Sequence, residues 1–285
     1  MKIKNIAVLG AGTMGNGIAQ VCATCGFSVR LYDIEQKFLD GALERINDSL
    51  ARLVKKAKIT SEDAEKTRAR IQTTLELATA CRQVELVIEA APEVMELKKE
   101  LFRKVNELAP ASAILASNTS QLSVTELAAA SGRPERFIGM HWFNPPPLMQ
   151  LIEIVVAVQT SEETLQTIKE LSRSLGKVPV VCKDAKGFIT SRALTAFLVE
   201  CYRIWQEGLA SAEDIDTAIR LGLNHPMGPM QLSDLIGLDT IAHICRSLAE
   251  TYGERFLLPE AVANLVRAGR VGTKAGRGFY AQQKK

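Results

Sequence analysis

The sequence predicts an α/β protein in which a doubly wound parallel sheet is followed by an all-helical domain. Three observations predict it. Over the first two thirds of the chain, short apolar runs alternate with stretches of helical period, the pattern of a parallel sheet covered by helices. A glycine-rich turn, Gly10-Ala11-Gly12-Thr13-Met14-Gly15, follows the first of those runs and opens a helix. Beyond Lys183-Asp184 the alternation stops and only helical periods remain.

Taken in order, the expected strands are Asn5–Leu9, Ser28–Tyr32, Leu86–Glu89, Ala113–Ala116, Phe137–His141, Leu151–Val156 and Val178–Val181. The stretch from Glu35 to about Thr67, lysine-rich at its middle, reads as a helical excursion from the sheet. Gly187–Gln206, Ala212–Leu221, Met230–Glu250 and Pro259–Ala268 have helical period with no strand between them. The expected domains are therefore 1–184 and 185–285, without repeats or low-complexity segments.

With 285 residues, 47% hydrophobic and 24% charged, the chain has ample material for a core and the balance of a soluble globular protein. A net charge of +3, dispersed and with no basic run interleaved with aromatics, argues against nucleic acid as the main partner. No apolar stretch approaches the roughly 20 residues of a membrane span, and the N-terminus reads as a strand without a charged leader. The expected location is the cytoplasm, or an organelle after removal of a targeting segment. Six scattered cysteines argue against a disulfide framework, and Cys22-Ala23-Thr24-Cys25 lacks the flanks of a redox site. None of His141, His225 and His243 forms a pair with zinc-ligand spacing, so no metal is expected.

The glycine turn stands in the context that a dinucleotide fingerprint requires, between an apolar strand and a helix. Gly10 makes the tight turn, Gly12 lets the backbone approach a pyrophosphate, and Gly15 lets helix and strand pack closely. Thr13 and Met14 open the helix, whose N-terminus supplies free N–H groups and dipole. The next strand, Phe27-Ser28-Val29-Arg30-Leu31-Tyr32, ends in Asp33, which would accept hydrogen bonds from ribose hydroxyls and repel a 2′-phosphate. These features predict a Rossmann-type domain and NAD rather than NADP.

A second constellation lies in His141-Trp142-Phe143-Asn144-Pro145-Pro146-Pro147 and Leu151-Ile152-Glu153-Ile154-Val155-Val156. It sets one imidazole and one carboxylate in apolar runs where neither serves packing. If the chain reverses near Pro147, residues 141 and 153 can face each other. A carboxylate among aliphatic residues is costly without a partner, and a histidine N–H is a suitable one. Glu153 would then fix the His141 tautomer and raise its basicity. A buried pair that merely joins two strands has the same residues.

With both sites in hand, the chain resembles the L-3-hydroxyacyl-CoA dehydrogenase family over essentially its whole length. The resemblance is carried by Gly10–Gly15, Ile88-Glu89-Ala90-Ala91-Pro92-Glu93, Ala116-Ser117-Asn118-Thr119-Ser120, His141–Pro147 with Glu153, Gly187-Phe188-Ile189, His225-Pro226-Met227-Gly228-Pro229 and Lys274-Ala275-Gly276-Arg277-Gly278-Phe279-Tyr280. It implies NAD-dependent, reversible oxidation of an (S)-3-hydroxyacyl-CoA, with His141 as base and Glu153 as its partner. It implies that Ser120 touches substrate and cofactor, and that Asn144 lies near the nicotinamide ribose. Glu93 and Lys98, on the helix after the Leu86–Glu89 strand, and Lys274 match residues near the cofactor. Ser49 and Lys56 match coenzyme A contacts, seven positions apart and so on one helix face.

One departure is sharp. The family commonly has asparagine before the arginine where this chain reads Gly187-Phe188-Ile189-Thr190-Ser191-Arg192, so Ser191 replaces an active-site polar group. His225 reads as part of an interhelical turn. The resemblance further implies a short-chain acyl-CoA substrate such as 3-hydroxybutyryl-CoA and a homodimer formed through the helical domain; the same residues could serve fatty-acid oxidation, butanoate metabolism or aromatic-acid catabolism. The competing readings are a hydroxyacid dehydrogenase acting without coenzyme A, such as an L-gulonate 3-dehydrogenase, and a non-catalytic NAD-binding protein.

Overall fold

The computed structural model describes residues 3–281 and divides into two compact units between Ala185 and Lys186. In the first unit eight strands form one sheet in the order β3-β2-β1-β4-β5-β6-β7-β8. The strands are β1 (Asn5–Leu9), β2 (Ser28–Tyr32), β3 (Ile71–Thr74), β4 (Leu86–Glu89), β5 (Ile114–Ser117), β6 (Phe137–Trp142), β7 (Leu151–Val156) and β8 (Val178–Lys183). The first six run parallel, β7 is antiparallel to β6, and β8 is parallel to β7. β1 and β4 are neighbours where the strand order reverses, the switch point at which doubly wound sheets bind ligands.

The helices of this unit are α1 (Thr13–Thr24), α2 (Gln36–Lys55), α3 (Ser61–Ala69), α4 (Leu77–Cys81), α5 (Met95–Leu108), α6 (Val124–Ala130) and α7 (Glu162–Ser174). Every residue of β4, β5 and β6 is buried, as expected of strands covered on both faces. β3 is the strand that the sequence reading lacks. Its segment Ile-Gln-Thr-Thr buries only Ile71, because an edge strand needs no apolar run. The expected excursion from Glu35 divides in two: α2 ends at Lys55, Ala57 has a φ of 52°, and Thr60 starts α3 with a reciprocal cap to Asp63.

The second unit contains α8 (Thr190–Gln206), α9 (Ala212–Gly222), α10 (Pro229–Ile236), α11 (Leu238–Tyr252) and α12 (Glu260–Arg267). The expected helix Met230–Glu250 is two, broken at Gly237, whose φ of 101° no helix accommodates. Leu198, Tyr202, Met230, Leu238 and Cys245 lie in its core. Among the described residues no helix is long and apolar enough to cross a membrane.

Candidate active site

The glycine turn is shaped by its neighbours. Gly10 has a φ of 104°, and a Cβ there would lie 2.5 Å from the carbonyl oxygen of Ala90; one at Gly15 would lie 1.7 Å from that of Gly10. These two positions exclude any side chain. At Gly12, by contrast, a Cβ would meet no protein atom within 4 Å, and no side chain caps α1 there. Backbone N–H groups at the helix start are thus left for a ligand, which fits a pyrophosphate. Asp33 directly follows β2, with one carboxylate oxygen accepting the N–H of Ala11 at 2.7 Å and the other that of Ile34 at 2.7 Å. It ties the glycine turn to β2 and keeps lone pairs suited to ribose hydroxyls. The residues present therefore fit NAD.

His141 and Glu153 are a directly opposed pair of the β6–β7 ladder. His141 Nδ1 lies 2.7 Å from Glu153 Oε2, with the histidine 7% exposed and the glutamate 0%. The reversal between them is the proline turn, entered through a cis Asn144–Pro145 peptide bond. The rings of His141 and Phe143 are 4.5 Å apart, and Asn144 is exposed. On β8, burial first and then the negative charges of Glu153 and Asp184 push the Cys182 thiol up to about 11, leaving it protonated and a poor nucleophile.

Beside this pair, a polar network crosses the ends of β4 and β5. Glu89 is wholly buried; its Oε1 accepts from Lys98 Nζ and from the N–H of Ala91, each at 2.6 Å, and its Oε2 from the Ser117 hydroxyl at 2.6 Å. Lys98 Nζ also lies 3.2 Å from Glu93 Oε2. Glu93 Oε1 accepts the Thr119 hydroxyl at 2.5 Å and the N–H groups of Ser120 at 2.9 Å and Gln121 at 3.1 Å. Burial raises the Glu89 carboxyl above its ordinary range against the pull of Lys98. For Glu93 burial also pushes upward, but the Lys98 charge and the hydrogen bonds from Thr119 and Ser120 win and hold it below.

The expected place of Glu93 is corrected: it lies not on the helix but in the loop before α5, whereas Lys98 is on α5 as expected, its side chain 1% exposed. Ser120 is half-buried, with its hydroxyl 3.5 Å from Glu93 Oε1. Glu89 lies within the Ile88–Glu93 motif, where the sequence alone gives it no task. The signal was available, since a carboxylate closing an apolar strand at the ligand-binding edge is the same pattern that singled out Asp33. The expected pairing of Ser49 and Lys56 on one helix face is also modified: α2 ends at Lys55, so Lys56 is the residue just beyond it. Lys55, Lys56 and Lys58 are exposed, whereas Ser49 is half-buried.

Cys22 is buried and Cys25 exposed, both are free thiols, and burial raises both, the opposite of a redox-active cysteine. In the second unit, Ser191 is the second residue of α8 and Ile189 holds the N-cap position, so Ser191 is not a cap. Lys274 pairs with Asp239, Nζ to Oδ2 2.6 Å. The His225–Pro229 segment leads into α10, where Asp216 accepts the N–H groups of Met230 and Gln231, and a Cβ on Gly228 would collide with Asp216. In the C-terminal motif, Asp234 likewise takes the N–H groups of Phe279 and Tyr280 at 2.9 Å each.

Comparison with known proteins identifies the family. Residues 5–185 match the family model of the 3-hydroxyacyl-CoA dehydrogenase NAD binding domain, and residues 187–282 that of the 3-hydroxyacyl-CoA dehydrogenase C-terminal domain. A probable 3-hydroxybutyryl-CoA dehydrogenase of Deinococcus radiodurans is 44% identical, covering 96% of this chain and 98% of its own. The mitochondrial hydroxyacyl-coenzyme A dehydrogenase of Sus scrofa is 42% identical over 98% of this chain and 91% of its own. Among solved structures, the (S)-3-hydroxybutyryl-CoA dehydrogenase of Ralstonia eutropha superposes with a TM-score of 0.96 at 39% identity, covering 99% of this chain and 100% of that one. With both halves matched and relatives aligned almost end to end, this chain belongs to the family of NAD-dependent 3-hydroxyacyl-CoA dehydrogenases.

Proposed function

We propose that His141 is the general base in the oxidation of an (S)-3-hydroxyacyl-CoA to the 3-oxoacyl-CoA, with Glu153 holding its tautomer and balancing the charge it gains. The observation that carries this reading is the 2.7 Å contact between His141 Nδ1 and Glu153 Oε2 inside a sheet. A carboxylate can only accept, so the Nδ1 hydrogen points at it and Nε2 is the basic nitrogen. Nε2 takes the proton of the substrate 3-hydroxyl, and the resulting imidazolium is stabilised by the glutamate. When bound, NAD supplies the acceptor for the hydride leaving C3. In the reverse direction His141 returns the proton to the alkoxide oxygen.

The other residues bind and orient. Gly10, Gly12, Thr13, Met14 and Gly15 present the start of α1 to the pyrophosphate, and Asp33 accepts the ribose hydroxyls. Ser120 donates to the developing carbonyl oxygen, its loop fixed by Glu93, Lys98 and Glu89. Asn144 contacts the nicotinamide half, and Lys274 is a further cofactor contact. Ser191 takes the place of the family asparagine beside the substrate. Lys56 and Ser49 hold coenzyme A; a helix C-terminus repels phosphate by its dipole, and the charges of Lys55, Lys56 and Lys58 offset this. A short acyl chain is supported by relatives named 3-hydroxybutyryl-CoA dehydrogenase, and a homodimer by exposed Leu221, Leu223 and Leu235 on the helical unit; the location proposed is the cytoplasm.

The test is to mix the protein with NADH and acetoacetyl-CoA and follow NADH absorbance. Its decay, slowed by a factor on the order of 10² or more in His141→Gln, is the expected result. Decay only with an oxoacid lacking coenzyme A would replace the substrate assignment, and no decay with either would leave a binding protein.

A further inference from the structure

The three consecutive prolines that follow Asn144 leave the reversal between β6 and β7 short of donors. Pro145, Pro146 and Pro147 have no N–H, and within the turn only Leu148 and Met149 donate, both to the carbonyl of Pro145. The carbonyls of Pro146 and Met149 are satisfied from elsewhere. Each accepts from Nζ of Lys177 at 2.7 Å. Lys177 lies just before β8, 8% exposed, with its ammonium 5.9 Å from the centroid of the Trp142 ring. This buried cation is thus held by two backbone carbonyls and an aromatic face. Such a group is costly to bury, and burial lowers its pKa. On its opposite side the turn rests on α1, where a Cβ added to Gly17 would stand 2.7 Å from Cδ of Pro146.

We propose that Lys177 is a positioning residue: together with the bare backbone at Gly17 it clamps the Asn144–Met149 turn against the cofactor-binding helix, and so fixes Asn144, His141 and Phe143 relative to the start of α1. This rests on the reading of His141 and Asn144 given above. A lysine suits the task because its ammonium carries three donors on a long flexible stem, so it supplies to the turn the hydrogens that proline lacks.

The variants are Lys177→Met, which keeps the stem and removes the donors, Lys177→Arg, which keeps donors, and Gly17→Ala, which presses the turn from the other side. Measurements are kcat with saturating NADH and acetoacetyl-CoA, the NADH dissociation constant by fluorescence, and circular dichroism to confirm folding at the assay temperature. Lys177→Met is expected to lose at least tenfold in kcat and to bind NADH at least threefold more weakly while folded, with Lys177→Arg within threefold of wild type. Gly17→Ala should move kcat in the same direction. A folded Lys177→Met with kcat and NADH affinity within twofold of wild type overturns the proposal. So does wild-type kinetics in Gly17→Ala if Lys177→Met does not fold. Normal turnover by His141→Gln would instead remove the underlying assignment of the base, whereas a dead His141→Gln beside a normal Lys177→Met removes only the clamp.

Discussion

His141 and Glu153 oppose each other on adjacent antiparallel strands, 2.7 Å apart and closed off from solvent, so the imidazole is oriented by a sheet and not by a loop. His141→Gln is expected to lower kcat by a factor on the order of 10² to 10⁴ while leaving NADH affinity nearly unchanged. Glu153→Gln should also impair turnover, since the amide leaves the imidazolium uncompensated. Steady-state kinetics with a separate NADH titration check both, and near-normal turnover in His141→Gln would refute the assignment.

Asp33 should set cofactor choice. NAD is expected to be preferred to NADP by at least about tenfold in kcat/KM, roughly 1.4 kcal/mol. Because the same carboxylate holds the Ala11 N–H, Asp33→Ala should weaken NADH binding as well as narrow the preference. Equal use of both cofactors by the unaltered protein would count against this role.

Lys56→Ala should raise KM for acetoacetyl-CoA more than it changes kcat, because a phosphate contact remote from C3 binds ground and transition states alike. Repeating the measurement with a pantetheine thioester lacking the nucleotide phosphates checks the assignment. An equal loss with that truncated substrate would show that Lys56 does not hold phosphate.

Ser191 is not at the N-cap of α8, so its hydroxyl is not explained by helix capping. Ser191→Ala is expected to slow turnover about tenfold, the cost of roughly one hydrogen bond of 1.4 kcal/mol, with little change in Tm. Ser191→Asn should preserve activity. A lowered Tm with unchanged kcat/KM in the alanine variant would make the residue structural.

Glu93 predicts an acid limb of stability. Its carboxyl lies below the ordinary range of about 4.3, so the unfolded chain takes up the proton first as pH falls. Its contribution is complete above that range and drains away as pH drops through the lowered value. Thermal melts of wild type and Glu93→Gln should therefore differ at neutral pH and converge in acid. A Tm gap that stayed constant down to pH about 3 would contradict the ion pair with Lys98.

Most of the fold was legible because buried parallel strands are written as apolar runs: β1, β2, β4 and β7 appear with the expected bounds. What escaped was written in another way. β3 is an edge strand with one buried residue, and the break at Gly237 depends on a backbone angle that a helical period does not report. In the site, the residues that bear chemistry on their own, His141, Glu153 and Asp33, stood out by being out of place. Glu89 and Lys177 did not, because their work is defined by partners distant in sequence: Ser117 lies 28 residues from the first and Pro146 31 residues from the second. Lys98 lies on the helix that its spacing gives, but the buried carboxylate it meets there is not written in that spacing.

The direct pairing of residues 141 and 153 makes the length of the intervening turn a chemical quantity. Side chains alternate between the two faces of a strand, so a slip of one residue would present Ile152 or Ile154 to the imidazole and carry the carboxylate to the other face. Insertion or loss of a residue between Phe143 and Gln150 that shifted this register by one would thus separate His141 from Glu153 without touching either. Apart from Asn144 and Pro146, the turn should tolerate exchange of its side chains better than a change of register.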